Sequence, residues 1–183
     1  MLDVTEREDL AAWYEQMHRL DAMVAIGEGK AAVDRIRRQV TAARTNPPPP
    51  ATFLRILGQY ASTLESTDAL AEAEFIRTEA LEIVTASQMT CRDAVDAFLG
   101  HGLLLVKMHN YDGAIAKLDE AIRRAEALDG IEELDRQIII ARATRGKAQA
   151  LEALGEFSQA SSALDALMHI KRHIRFIVFA ASH

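Results

Sequence analysis

The strongest constraint on this chain is a repeated segment. Gly27-Glu28-Gly29-Lys30-Ala31-Ala32, Asp68-Ala69-Leu70-Ala71-Glu72-Ala73, His109-Asn110-Tyr111-Asp112-Gly113-Ala114 and Gly155-Glu156-Phe157-Ser158-Gln159-Ala160 align on their final alanines, at positions 32, 73, 114 and 160, which are 41, 41 and 46 residues apart. The flanks keep the register. Twelve residues before each marked alanine stand Leu20, Ala61, Gly102 and Ala148; nine before stand Met23, Leu64, Leu105 and Leu151; eight after stand Val40, Leu81, Ile122 and Met168. A period of this length means a stack of like supersecondary units, none of which can bury its apolar face alone. Small residues at facing positions let two antiparallel backbones approach closely, and the large aliphatic positions fill the seam to the next unit.

The units are helical. Apolar residues recur at three- and four-residue spacing along the chain, and alternating valine- or threonine-rich runs are absent. Eight helices are predicted. The first covers about 6–26, behind a capping box of Thr5 and Glu8, and ends at Gly27 and Gly29. A second covers 30–44, and Asn46-Pro47-Pro48-Pro49-Pro50 then imposes an extended break with Pro50 suited to the first helical position. The others cover 50–65, 68–86, from Cys91 to about 108, 110–128, a long helix ending at 154, and a last one reaching about 179. The expected fold is all-α, about four-fifths helix, an α-solenoid of about four antiparallel hairpins at 6–45, 51–87, 91–128 and 131–181 within one domain, 1–183.

Composition excludes several other classes. With 49% hydrophobic and 26% charged residues the chain is too apolar for disorder, and Cys91 alone gives no disulfide framework. The net charge of -6 argues against a nucleic-acid partner, which requires a basic face. The start Met1-Leu2-Asp3-Val4-Thr5-Glu6 is acidic where a secretory signal is basic, and the most apolar stretch, 174–181, is far too short to span a bilayer. A cytoplasmic protein is expected.

The segment from Phe98 to Ile122 resembles the tetratricopeptide repeat (TPR) family: Phe98, Gly102, Leu105, Tyr111, Ala114, Leu118 and Ala121 have the spacing of its large-small-aromatic-small signature. Residues 70–83 also resemble the second helix of a kinesin-light-chain-type repeat, with Arg77 where a large apolar residue is usual. The first hairpin departs further, carrying Gln16, Leu20 and Gln39 at positions normally apolar or small. The resemblance implies a right-handed superhelix whose first helices line a concave face. Carried onto this register, the peptide-binding positions are Tyr14, His18 and Asp21, then Arg55, Gln59 and Ser62, then Asp96, Leu103 and Lys107, then Arg142, Arg145 and Gln149. The family's two-carboxylate clamp needs Lys and Asn where this chain has Met17, Asp21, Gly58, Ser62, Leu99 and Leu103, so a chaperone's carboxy terminus is not the expected ligand.

Motifs for chemistry are scarce. Six histidines occur without a His-Glu-x-x-His, Cys-x-x-Cys or glycine-rich phosphate loop. His169 and His173 lie one turn apart with no third ligand near in sequence, His101 reads as a packing position, and Cys91 as a structural thiol. No catalytic residue, metal or cofactor is expected. The leading function is a scaffold or adaptor that binds a protein or peptide. The alternative is a sensory or regulatory module, since the segment around Gly155 to Ala160 also resembles repeats of bacterial signal-sensing transcription activators. In the last helix, Ile170, Ile174 and Ile177 continue the packing stripe while Phe176 and Phe179 fall outside it. Self-association through Ile174, Phe176, Ile177 and Phe179, or docking of the next part of a longer protein, is therefore expected.

Overall fold

The computed structural model describes the backbone of residues 4–181 and the side chains of residues 15–179. It contains α1 (Val4–Ala25), α2 (Gly29–Thr45), α3 (Pro50–Ser66), α4 (Leu70–Ala86), α5 (Arg92–Lys107), α6 (Tyr111–Ala127), α7 (Glu133–Ala153) and α8 (Phe157–Ala181). No strand occurs among the described residues. The capping pair Thr5 and Glu8 lies outside the described side chains.

The repeat has a backbone cause. One residue after the first helix of each hairpin takes a left-handed conformation: Gly27 (φ 87), Asp68 (φ 61), His109 (φ 60) and Gly155 (φ 79). The amide that follows donates to the carbonyl five residues back: Glu28 to Met23 at 2.8 Å, and Ala69 to Leu64, Asn110 to Leu105 and Glu156 to Leu151, each at 2.9 Å. These are the outer bonds of helix-terminating Schellman turns, which satisfy carbonyls that the helix end leaves unpaired. Glycine takes the left-handed state without strain, and aspartate and histidine are among the side chains that tolerate it. Four residues further on, the marked alanines donate back to Glu28, Ala69, Asn110 and Glu156, so each turn reverses the chain in one register. At α6 the Asn110 side chain also accepts from the Gly113 amide at 3.2 Å, capping the helix.

Two compact units divide the chain, Met1–Ile76 and Arg77–His183. In the first, α1 and α3 pack with α2, and Ala32, Ala61, Leu20, Leu57 and Leu64 are fully buried. The polar departures of the first hairpin satisfy one another, because the Gln16 amide donates to the Gln39 carbonyl across α1 and α2, with Gln59 buried nearby. A second polar link joins three helices. Arg37 of α2 donates to the Tyr60 hydroxyl at 2.9 Å and to Glu72 of α4 at 3.2 Å, while Tyr60 of α3 donates to the same carboxylate. The Tyr60 hydrogen bond, and then Arg37, hold the Glu72 carboxyl below its usual range, whereas burial pushes the Tyr60 phenol up.

In the second unit, α5 packs on α6, α7 on both, and α8 on α7. Ala94, Leu104, Ala114, Leu118, Ala121, Ala125, Ala143 and Ala150 are fully buried. The closest approaches fall at glycines. A Cβ on Gly102 would sit 2.7 Å from the Leu118 side chain, and one on Gly146 would sit 2.8 Å from Leu103 and 3.1 Å from Leu118. Leu118 thus fills the space that two absent side chains leave on α5 and α7. Arg77, the other departure from the repeat pattern, is buried with its guanidinium over Gly100, where a Cβ would meet it at 2.4 Å.

Two predictions follow from this packing. Ala114→Leu introduces three carbons at a fully buried repeat position and is expected to destabilise the fold by roughly 1 to 3 kcal/mol, read as a lowered denaturation midpoint; an unchanged midpoint would show that the register is wrong. His101 is 6% exposed, with no hydrogen-bond partner for Nδ1 among the described residues. Burial, reinforced by the charges of Lys117 and Arg77, lowers its pKa to about 4. The unfolded chain takes up this proton near pH 6.5 and the folded chain does not, so stability is retained above pH 6.5 and declines as pH falls towards 4. The loss between pH 7 and pH 5 is expected to be about 2 kcal/mol in urea titrations, and His101→Leu removes that dependence.

Candidate protein-binding surface

The sequence-predicted groove positions fall into distinct settings. In the first unit His18 and Ser62 are exposed, Arg55 is half-buried, and Gln59 is withdrawn into the packing beside Gln16, Met17, Ile36, Gln39 and Ile56. The Tyr14 side chain lies outside the described residues. In the second unit Lys107 on α5 and Arg142, Arg145 and Gln149 on α7 are exposed, with Asp96 and Leu103 half-buried between the two helices.

What separates these residues is how their charge is used. Arg92 donates to Asp96 at 3.1 Å and meets Asp135 of α7 at 2.8 Å. Burial raises the Asp96 carboxyl, against the lowering influence of Arg92 and, more weakly, of Arg142. Arg123 and Arg124 share Glu120, at 2.5 Å and 2.6 Å, and Arg124 also donates to the Met89 carbonyl and lies over the Phe98 ring. Arg136 donates to the carbonyls of Ala125, Glu126 and Leu128, closing the end of α6. Lys147 meets Asp119 of α6 at 2.7 Å. Arg123 is held within α6, and the other cations link neighbouring elements. Arg142 and Arg145 make no hydrogen bond or ion pair among the described residues, and they sit three residues apart on one side of α7.

Other polar features are less suited to a ligand. A recess of about 450 Å³ opens beside the start of α5, lined by Thr90, Cys91, Ala94 and Val95, but its arginines, Arg123 and Arg124, are the pair already held by Glu120. His173 of the 169/173 pair lies 3.8 Å from Glu133. No group of three or more His, Cys, Asp and Glu suited to a metal ion occurs among the described residues, and no described helix is long and apolar enough to cross a membrane.

The last helix is longer than its counterparts. It has 25 residues where α2, α4 and α6 have 17 each, so its tail extends about 12 Å further. Ile174 and Ile177 are half-buried on the stripe that carries the buried Ala160 and Leu167, while Phe176 and Phe179 are 68% and 65% exposed. Leu164 and Met168 are also exposed on α8, although the register assigns Met168, with Val40, Leu81 and Ile122, to the large aliphatic positions expected to fill the seam. They are the repeat equivalents of Leu118 and Ile122 in the preceding hairpin.

Among solved structures, the chain is similar to the kinesin light chain with nearly identical TPR-like repeats from Podosopora anserina. The TM-score is 0.59 at 13% identity, covering 86% of this chain and 94% of that one. A Q17M form of the same repeats gives 0.60 at 13% identity, over 88% of this chain and 95% of that one. No family model and no curated protein matches the sequence. The fold is therefore a TPR-like helical repeat, the long-period variety to which the 41-residue spacing pointed.

Proposed function

We propose that the chain is a non-catalytic scaffold or adaptor that binds a protein or peptide through the exposed face of α5 and α7 in its second unit. The reading is carried by Arg142 and Arg145, which are exposed and make no hydrogen bond or ion pair among the described residues, whereas every other arginine of α5 to α7 is held by the protein itself. Two forked guanidiniums one turn apart are suited to a carboxylate-bearing partner, each able to form two parallel hydrogen bonds. Gln149, exposed one turn further along α7, adds a donor on the same stripe. The surface offers charge and hydrogen bonding, the features a binding face uses.

The charge reversal Arg142→Glu/Arg145→Glu tests this reading. Both side chains point to solvent, so helicity and thermal midpoint should hold within a few degrees while affinity for an acidic peptide falls at least tenfold in fluorescence anisotropy. Retained affinity removes these residues from the site.

A second reading concerns assembly and is favoured by the exposure of Phe176 and Phe179 on the tail of α8. Self-association through Ile174, Phe176, Ile177 and Phe179 predicts that sedimentation velocity resolves a dimer that is lost in Phe176→Ser/Phe179→Ser. A monomer for both proteins ends it.

A further inference from the structure

The repeat provides an internal comparison for the outer side of α7 and α8. Each residue of the α5–α6 hairpin corresponds to the residue 46 positions later in the α7–α8 hairpin, as His109 does to Gly155 and Ala114 to Ala160. The α5–α6 hairpin is covered by α7. Leu103 and Leu118 close on Gly146, and the edges are tied by Arg92 to Asp135 and by Asp119 to Lys147. On α5 the covered stripe is Arg92, Asp96, Leu99 and Leu103, and on α6 it is Leu118, Ile122 and Ala125; Leu99, Leu118 and Ala125 are fully buried.

Moving 46 residues on gives Ile138, Arg142, Arg145 and Gln149 on α7, and Leu164, Met168 and Lys171 on α8. All seven are exposed, Leu164 at 40% and Met168 at 54%, where Leu118 is at 0%. The equivalent of a covered face is thus exposed among the described residues, and its chemistry has changed, with Asp96 replaced by Arg142 and Leu103 by Gln149. Buried Leu99 is replaced by Arg145 and buried Ala125 by Lys171, so two aliphatic side chains now lie between cations. Arg142, Arg145, Lys171 and Arg175 all lack hydrogen bonds and ion pairs among the described residues.

This combination selects an occupant. A second copy docked through the same face in two-fold fashion would set these cations against their own symmetry mates, a like-charge arrangement that disfavours association. A helix presenting small and aliphatic residues to Leu164 and Met168, as α7 presents Gly146 to Leu103 and Leu118, and carboxylates to Arg142 and Arg145, satisfies both parts of the face. We infer that the outer face of α7 and α8 docks an acidic amphipathic helix of a partner protein, in the position that a further hairpin of the repeat would take. The stripe from Ile138 to Gln149 spans about 16 Å, so three to four turns of partner helix cover it. The inference rests on the protein-binding reading above and specifies the partner's form: a helix on the outer face rather than an extended peptide on the α5–α7 face.

The test uses the full chain and labelled peptides of about fifteen residues. One is a helical peptide with a Leu/Ala stripe edged by Glu, one has Lys in place of each Glu, and one is an extended acidic peptide interrupted by proline. The Glu-edged helix is expected to bind at least tenfold more tightly than its Lys counterpart, and Leu164→Asp/Met168→Asp, which alters two exposed residues and is checked for native circular dichroism, should abolish that preference. Equal binding of the Glu and Lys helices, or unchanged binding in Leu164→Asp/Met168→Asp, overturns the inference. If that variant keeps affinity for the extended peptide while Arg142→Glu/Arg145→Glu loses it, the outer-face inference falls and the broader reading stands; if neither variant changes binding of any peptide, both fall. Sedimentation showing a dimer broken by Leu164→Asp/Met168→Asp, or binding to phosphatidylserine vesicles in preference to every peptide, would also overturn it by assigning the face to self-association or to a membrane.

Discussion

The left-handed turn that ends the first helix of each hairpin is the constraint on which the rest of the structure depends. A single residue at positive φ, followed by an amide bonded to the carbonyl five back, reverses the chain within a few residues and sets the relative rotation of the two helices. Because the same bond forms at Met23, Leu64, Leu105 and Leu151, the marked alanines arrive at the helix contact in a common register, and all four are buried. Close approach then has a place to happen: Leu118 enters the gap left by Gly102 and Gly146 because the turns bring those three residues level. A change in turn geometry would rotate the alanines out of the seam and replace close contact with cavity or clash.

On that frame the charged residues divide by use. Those at helix joints, Arg37, Arg92, Arg124, Arg136 and Lys147, hold neighbouring elements through carboxylates, carbonyls or an aromatic ring. Such partly exposed pairs contribute little each to stability, and their main effect is to fix the orientation of helices whose apolar faces would otherwise slide. The cations without a hydrogen bond or ion pair among the described residues include Lys30, Arg35 and Arg38 on α2 as well as Arg142, Arg145, Lys171 and Arg175 on α7 and α8.

The departures from the repeat pattern have physical explanations that only neighbours reveal. Gln16 and Gln39 replace a small or apolar pair because each satisfies the other across α1 and α2. Arg77 replaces a large apolar residue where Gly100 leaves room for a guanidinium, and the buried His101 beside it is held neutral over most of the pH range in which histidine titrates. Tyr60, at 2% exposure, carries its hydroxyl to Glu72 and Arg37 rather than leaving it buried and unmatched.

Helix content, the eight elements, their ends at Gly27, Asn110 and Gly155, and the register of the small residues were legible in the sequence, because each is a local property: periodicity, capping and turn chemistry act over a handful of residues and repeat. The candidate surface was legible only in part. Register alone put Gln59 and Arg142 in equivalent roles, yet one is buried beside other polar side chains and the other stands in solvent, a difference set by which helix lies opposite. Which arginines are bound and which are free was likewise decided by contacts between residues far apart in the chain, such as Arg92 with Asp135 and Arg37 with Glu72. Sequence by itself determined the unit and its spacing, since hydrogen bonds within turns and helices are short-range. Tertiary structure alone decided which copies of each repeated position are covered, since burial is a property of neighbours and the same position is buried in one hairpin and open in the next.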